Sequence, residues 1–140
     1  MIKDIKSIFC TEEIYSIYSG CMYEPTFEKF NAKAVNYQND SSVSLYGYFK
    51  NEKIVGIIAT KEKGEQIEVL GISVDIKERY FGIGTRLIEY IRDTSTKPII
   101  AETDSNAVMF YKKCGFDIEE KVVSKSNVSY NRYVCTLNYK

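Results

Sequence analysis

The segment that most constrains this chain is a strand-like run, a glycine-containing turn and a helix-like run in succession. Residues 67–74 are apolar, residues 86–92 have helical spacing, and Arg79-Tyr80-Phe81-Gly82-Ile83-Gly84 lies between them. A turn that opens a helix leaves several backbone N–H groups without partners, all pointing the same way. Together with the helix dipole, these groups favour an anion such as phosphate. We therefore expect a phosphate-binding turn between a strand and a helix.

The remaining apolar patterns predict a mixed α/β sheet rather than a doubly wound parallel one. Thr11 offers an N-cap for the first helix, Pro25-Thr26 opens the second, and Gly115 is suited to end a later one. The predicted order is β-α-α-β-β-β-α-β-α-β-β. Strands are predicted over residues 1–8, 43–50, 54–60, 66–74, 98–103, 116–123 and 130–137. Helices are predicted to begin at Thr11, Pro25, Gly82 and Asn106.

Size and charge narrow the class of protein. The chain has 140 residues, which suits one domain over residues 1–140. Lys plus Arg equals Asp plus Glu, 19 of each, so no overall field favours nucleic acid or an anionic membrane. No apolar run approaches the roughly 20 residues that span a bilayer. The first residues lack the apolar core of a secretory signal, so we expect a cytoplasmic protein.

The chain contains no histidine, which removes Ser–His and Cys–His nucleophilic pairs and His-ligated metal sites. The 4 cysteines have a spacing that matches no zinc or redox motif, and we expect no metal. Proton transfer must then use Glu, Asp, Tyr, Lys, Cys or water.

Two nucleotide-binding motifs fit the glycine turn poorly. A dinucleotide-binding fingerprint needs a third glycine, but Leu87 stands at that position. A P-loop needs a lysine before Ser or Thr, and Gly84-Thr85 lacks it. A further interpretation also stays open, in which the segment is a tight structural turn that binds no ligand.

A third interpretation uses the whole second half of the chain. The pattern Arg79-x-x-Gly82-x-Gly84 resembles the Gln/Arg-x-x-Gly-x-Gly/Ala signature of the GNAT family of N-acetyltransferases. Residues 106–116, Asn-Ala-Val-Met-Phe-Tyr-Lys-Lys-Cys-Gly-Phe, resemble that family's Asn-x-x-Ala-x-x-Phe-Tyr-x-Lys-x-Gly-Phe block. Tyr80 and Ile76 depart from it, standing where glycine and proline are common. The resemblance implies a central, mostly antiparallel sheet flanked by helices.

The resemblance implies acetyl-CoA as co-substrate. The backbone of the turn would hold the pyrophosphate, glycines at 82 and 84 would let it approach without a Cβ in the way, and the preceding strand would pair with the pantetheine arm. The cofactor-binding residues so implied are Ile72, Val74, Arg79, Tyr80, Phe81, Gly82, Ile83, Gly84, Thr85 and Asn106. Asn106 is also expected to cap its helix.

Two catalytic roles follow from the same resemblance. Tyr111 is expected beside the CoA sulfur as the acid that protonates the departing thiolate. Glu68 lies on the central strand, where an apolar run would partly desolvate it and raise its pKa toward that of a useful base. Two alternatives stay open: Glu68 is an outward, solvated residue of its strand, or ordered water is the base.

The expected activity is acetyl transfer to a primary amine. The alternative is a non-catalytic acyl-CoA-binding sensor on the same fold. The acceptor is either a small amine or an amine of a peptide or protein, and both stay open. The oligomeric state also stays open between a monomer and a homodimer. Acidic side chains of the first helices, such as Glu12, Glu13, Glu24 and Asp40, could attract a cationic amine.

Overall fold

The computed structural model describes residues 1–138. Its strands are β1 Ile2–Asp4, β2 Val43–Lys50, β3 Lys53–Lys63, β4 Gln66–Val74, β5 Ile99–Thr103, β6 Asp117–Lys125 and β7 Val128–Leu137. Its α-helices are α1 Glu12–Tyr18, α2 Phe27–Asn39, α3 Ile83–Thr94 and α4 Val108–Lys113. Short 3-10 turns cover Lys6–Ile8, Ser19–Cys21 and Ile76–Glu78. The predicted order of strands and helices is confirmed.

The strands form one sheet in the order β1-β2-β3-β4-β5-β7-β6. Only β4 and β5 run parallel, and every other neighbouring pair is antiparallel. The sheet is therefore mostly antiparallel and flanked by helices, as expected. Its single parallel seam joins two antiparallel halves, β1 to β4 and β5 to β6.

Local sequence signals explain the early boundaries. The Thr11 side chain accepts a hydrogen bond from the Ile14 N–H at 3.3 Å, and Thr26 accepts one from Lys29 at 3.1 Å. The N-cap predicted at Thr11 is confirmed, and the helix predicted to begin at Pro25 begins after an N-cap at Thr26. At the first hairpin, Asn51 and Glu52 have φ of 53° and 65°. These left-handed values suit a two-residue turn between twisted strands.

Two hydrophobic clusters cover the two faces of the sheet. One packs α3 and α4 against the sheet, and its centre includes Ile58, Leu87 and Ile99. The other packs α1 and α2 on the opposite face, around Phe9 and Phe30. Each helix buries one apolar stripe, which is the pattern that fixes its orientation on the sheet.

A buried hydrogen bond fixes α1 over β4. The Ser73 hydroxyl donates to the Ile17 carbonyl at 2.6 Å, and Ser73 is buried. The carbonyls at the end of a helix lack partners within the helix, so this bond satisfies one of them. It also sets the distance between the first helix and the strand that leads into the glycine turn.

The strand predicted over residues 1–8 is shorter than expected. β1 ends at Asp4, whose carboxylate accepts from the Lys6 N–H at 2.8 Å and starts a 3-10 turn. Within residues 1–138, no helix is both long and apolar enough to cross a bilayer.

Candidate functional site

The sheet opens between its two central strands. β4 pairs with β5 only at Ile67↔Ile99 and Glu68↔Ile100, and further along it pairs only with β3. The β3–β4 register shifts between Ala59↔Gly71 and Thr60↔Val69, so Leu70 is an extra residue on β4. Such a bulge bends its strand. The bend turns residues 69–74 away from β5 and leaves one side of this backbone free.

The free side of β4 runs directly into the predicted turn. The first hydrogen bond of α3 joins the Arg86 N–H to the Gly82 carbonyl at 3.0 Å. The N–H groups of Ile83, Gly84 and Thr85 therefore have no partner inside the helix. Across the described part of the chain, the N–H groups of residues 79–82 also make no hydrogen bond. Seven consecutive donors thus surround the start of a helix, which makes an anion site.

Glycine is required at positions 82 and 84 of the turn for different reasons. Gly82 has φ of +80°, and nothing lies within 4 Å of where its Cβ would be. A side chain would be strained there, although space is available. Gly84 is helical, and a Cβ would lie 2.8 Å from Cε1 of Phe110. The missing Cβ of Gly84 therefore makes room for the Phe110 ring, and the expectation that it also lets phosphate approach stays a prediction.

The side chains of the turn leave the anion position open. Tyr80 has φ of 70° and is fully exposed, so it lies in solvent and does not crowd the loop. Phe81 is exposed beneath Lys50, whose Nζ lies 5.8 Å from the ring centre. The Arg79 Nε donates to the Val74 carbonyl at 3.1 Å, and the Thr85 hydroxyl lies 3.7 Å from the Cys114 sulfur. The backbone therefore supplies the anion site.

Tyr111 is buried on the α3–α4 face. Its ring meets Phe110 and Phe116 edge to face, with centroids 5.2 Å apart in both pairs. Burial raises the pKa of Tyr111 well above its ordinary value, and Cys135, Cys21 and Cys114 add to the rise. The phenol is thus a neutral donor at physiological pH.

Glu68 is more exposed than the sequence suggested. Its carboxylate forms an ion pair with Lys63 at 3.2 Å, and 37% of its side chain is accessible. The partly desolvated setting expected for a catalytic base is not present, because the side chain leaves the sheet beside a lysine. Glu68 nonetheless sits where β4 and β5 last pair, opposite Ile100.

Asn106 is not the cap of α4. The helix begins at Val108, and the Asp104 carboxylate accepts from the N–H groups of Asn106 and Ala107 at 2.9 Å and 3.1 Å. A carboxylate satisfies these donors better because it is also attracted by the helix dipole. The exposed Asn106 side chain forms no hydrogen bond within residues 1–138, so it is available to a ligand.

A second group of polar side chains lies on the other face of the β4 bulge, and the sequence did not predict it. The Tyr18 hydroxyl and the Cys21 sulfur cover Gly71 so closely that a Cβ there would overlap both. Tyr37 lies 3.4 Å from the Tyr18 hydroxyl. Loss of water around its sulfur raises the pKa of Cys21 to about 11, although the residue as a whole is exposed. Cys21 touches the bulge backbone at Gly71.

A cavity of about 300 Å³ opens beside this group. Its lining comprises Tyr18, Cys21, Met22, Tyr23, Lys29, Lys33 and Leu70. The expected acidic side chains do not line it. Asp40 is engaged elsewhere, where hydrogen bonds from Ser42 and Lys61 lower its pKa to about 2. A larger hollow of about 530 Å³ lies near β1, three strands away from β4.

A sequence signal for part of this group did exist. Ile14, Ile17, Tyr18 and Cys21 follow at helical spacing, which places Cys21 on the inward side of α1 and its 3-10 extension. The spacing could not identify Gly71 as its neighbour, because the two residues are far apart in the chain.

Comparison with known proteins agrees with this geometry. A profile described as an acetyltransferase (GNAT) domain matches residues 10–137. The chain is similar in structure to aminoglycoside 6′-acetyltransferase type Ii, with a TM-score of 0.81 and 17% identity, over 100% of this chain and 97% of that one. It is also similar to ribosomal-protein-S18-alanine N-acetyltransferase from Escherichia coli, with a TM-score of 0.77 and 14% identity, over 100% and 94%.

A third similar structure is a GNAT family acetyltransferase from Elizabethkingia anophelis with acetyl-CoA bound, with a TM-score of 0.73 and 18% identity, over 99% of this chain and 97% of that one. At such identities the structural likeness establishes the fold. The profile match covers most of the chain and includes both the glycine turn and the Asn106–Phe116 block. The chain therefore belongs to the GNAT acetyltransferase family.

Proposed function

We propose that this protein is an N-acetyltransferase that moves an acetyl group from acetyl-CoA to a primary amine. The observation that carries the proposal is the free side of β4, which is followed, after the short 3-10 turn Ile76–Glu78, by seven unpartnered N–H groups around the start of α3. A ligand with an extended amide-containing arm that ends in a pyrophosphate matches this arrangement. The pantetheine arm and pyrophosphate of CoA have that chemistry.

The donor substrate would lie in one direction along the site, from the turn back along β4. The amides of Arg79, Tyr80, Phe81, Gly82, Ile83, Gly84 and Thr85 would hold the pyrophosphate. The backbone from Ile72 to Val74 would pair with the pantetheine arm as an added strand does. The exposed Asn106 side chain would contact the same arm. The thioester would then lie at the bulge, where N–H groups between Leu70 and Ile72 would stabilise a developing oxyanion.

The reaction is a direct attack of the amine nitrogen on the thioester carbonyl carbon. The new C–N bond forms as the C–S bond breaks, the amine loses a proton and the thiolate gains one. We assign Tyr111 as the proton donor from its position in the Asn106–Phe116 block. Burial raises the pKa of its phenol, so the phenol stays protonated but is a weaker acid than a free tyrosine. The proton acceptor is Glu68 or ordered water, and the exposed ion pair of Glu68 with Lys63 favours water.

The test is release of CoA thiol from acetyl-CoA in the presence of a panel of amines. S-acetylpantetheine, which has the same thioester and arm but no pyrophosphate, is the matched substrate. We expect acetylation of at least one amine class and a KM for S-acetylpantetheine about 100-fold higher, because charge-assisted contacts to phosphate are lost.

Two outcomes would contradict parts of the proposal. Equal KM values for the two donors would mean that the turn does not bind the pyrophosphate. CoA binding by calorimetry without thiol release from any amine would indicate the non-catalytic sensor instead.

A further inference from the structure

The cavity beside the β4 bulge has a distinct composition. Its walls are aromatic and apolar, with Tyr18, Met22, Tyr23 and Leu70, and its charged side chains are Lys29 and Lys33 of α2. Within residues 1–138, no carboxylate lines it. A volume of about 300 Å³ is at the small end of the range for small-molecule sites. The cavity therefore suits a small ligand with an apolar part and an anionic group.

The cavity lies next to the point where acetyl transfer is proposed. Leu70 is both the extra residue of the bulge and part of the cavity wall. Tyr18 and Cys21, two further wall residues, cover Gly71. Because these two side chains leave no room at Gly71, a ligand in this cavity would meet the bulge at Leu70. The end of the ligand farther from Leu70 would reach toward α2.

Both lysines keep hydrogen-bonding capacity for a ligand. Lys29 donates one hydrogen bond to the Glu24 carbonyl at 2.9 Å, and an ammonium has two further donors. Lys33 stands with its Nζ 5.6 Å from the centre of the Tyr37 ring. Lys33 and Cys21 both line the cavity.

We infer that the acceptor is a small amino acid, whose carboxylate is held by Lys29 and Lys33 while its amine faces the β4 bulge. This inference rests on the proposed N-acetyltransferase function. Two ammonium groups repel a purely cationic amine, and they attract a carboxylate. Nearby cations also favour the neutral form of the acceptor amine, which is the form that attacks.

The experiment compares acids with their uncharged counterparts. L-leucine, L-methionine and L-phenylalanine are assayed for thiol release beside their carboxamides, with kcat/KM corrected for the fraction of free amine. We expect the acids to be preferred by about tenfold, as for one charge-assisted contact. Lys33→Gln should remove most of that preference, leaving the carboxamides within about twofold of their original rates.

Lys3→Gln is the matched control. Lys3 also places its ammonium over an aromatic ring, 5.2 Å from the centre of Phe49, but on β1 at the edge of the sheet. This variant should keep the preference for acids. Carboxamides or polyamines that react as well as the acids, or a Lys33→Gln loss shared equally by acids and carboxamides, would overturn the inference while leaving the N-acetyltransferase function in place.

Calorimetry with CoA present separates the two proposals. Binding of L-phenylalanine but not its carboxamide, lost in Lys33→Gln, would support the carboxylate site even without turnover. In that event acetyl transfer would be overturned, while the anion-binding cavity would stand. Neither binding nor turnover of any acid, with other amines acetylated, would overturn the cavity assignment alone.

Discussion

The Tyr111 phenol is protonated at neutral pH, and its side chain lies in the hydrophobic core. It is 6% exposed and contacts Phe110 and Phe116 with its ring. Because these contacts use only the ring, the hydroxyl can be removed without opening a cavity. The packing role and the proposed chemical role of this side chain can therefore be measured separately.

We expect Tyr111→Phe to lower kcat by about 100-fold, which is the low end of what a positioned proton donor contributes. Its free energy of unfolding should change by less than about 1 kcal/mol, because ring packing is kept. Steady-state thiol release and urea unfolding are the measurements. Tyr46→Phe is the control, since Tyr46 also packs edge to face, on Tyr90. An unchanged kcat in Tyr111→Phe would reduce Tyr111 to packing.

Gly84 offers a second prediction at the residue scale. Alanine is normally the better helix residue by about 1 kcal/mol. Here its Cβ would lie 2.8 Å from the Phe110 ring, so Gly84→Ala should instead destabilise the protein by about 1–3 kcal/mol. Urea unfolding checks this. Adding Phe110→Leu to Gly84→Ala should recover part of the loss, and no recovery would mean that the ring is not the obstacle.

At the scale of elements, α4 illustrates how a cap is selected. Asp104 and Asn106 are both good capping residues, and only the structure shows that Asp104 holds the first N–H groups. We expect Asp104→Ala to cost about 1 kcal/mol of stability. Asn106→Ala should leave the melting temperature nearly unchanged and raise the KM for acetyl-CoA. The reverse pattern would restore Asn106 as the cap.

The elements that the sequence predicted well are those with signals inside a few residues. The Thr11 cap, the Asn51-Glu52 turn and the strand–turn–helix around Gly82 are of this kind. Each depends on local backbone chemistry, so pattern alone was sufficient. The glycine turn and the downstream block together also led to the correct family.

The features that the sequence missed depend on contacts between distant residues. The bulge at Leu70 depends on the register between β3 and β4, which alternation alone does not reveal. The placement of Cys21 over Gly71 requires knowing where α1 crosses the sheet. The ion pair that keeps Glu68 at the surface forms across a hairpin, with Lys63 on the neighbouring strand. Apolar neighbours in sequence therefore overstated its burial.

At the scale of the whole molecule, buried acids should make stability fall in alkali. Burial raises the pKa values of Tyr18 and Tyr111 well above 10.0, and that of Cys21 from 9.0 to about 11. Unfolding lets these groups ionise near their ordinary pKa values, so the unfolded state binds fewer protons. Their stabilising contribution is complete below about pH 9 and is lost as pH rises through the folded pKa values.

We expect the free energy of unfolding to fall above pH 10 by about 1.4 kcal/mol per pH unit for each buried tyrosine. Urea unfolding at pH 8, 9, 10 and 10.5 measures this slope. Tyr111→Phe should reduce the slope by the contribution of one buried tyrosine. A stability that stays level up to pH 10.5 would mean that the two phenols ionise freely in the folded protein.

The opening between β4 and β5 creates a strand edge in the middle of a sheet. Edges of this kind invite pairing with another chain, and proteins usually protect them with charges, bulges or covering segments. From Val69 to Val74 the bulge bends the strand, Tyr18 and Cys21 cover Gly71, and the Arg79 side chain covers the Val74 carbonyl. The remainder of this edge has no pairing with β5. A donor substrate bound in the opening would therefore also cover this edge and hinder self-association. The protein without its donor would be the form most prone to aggregate.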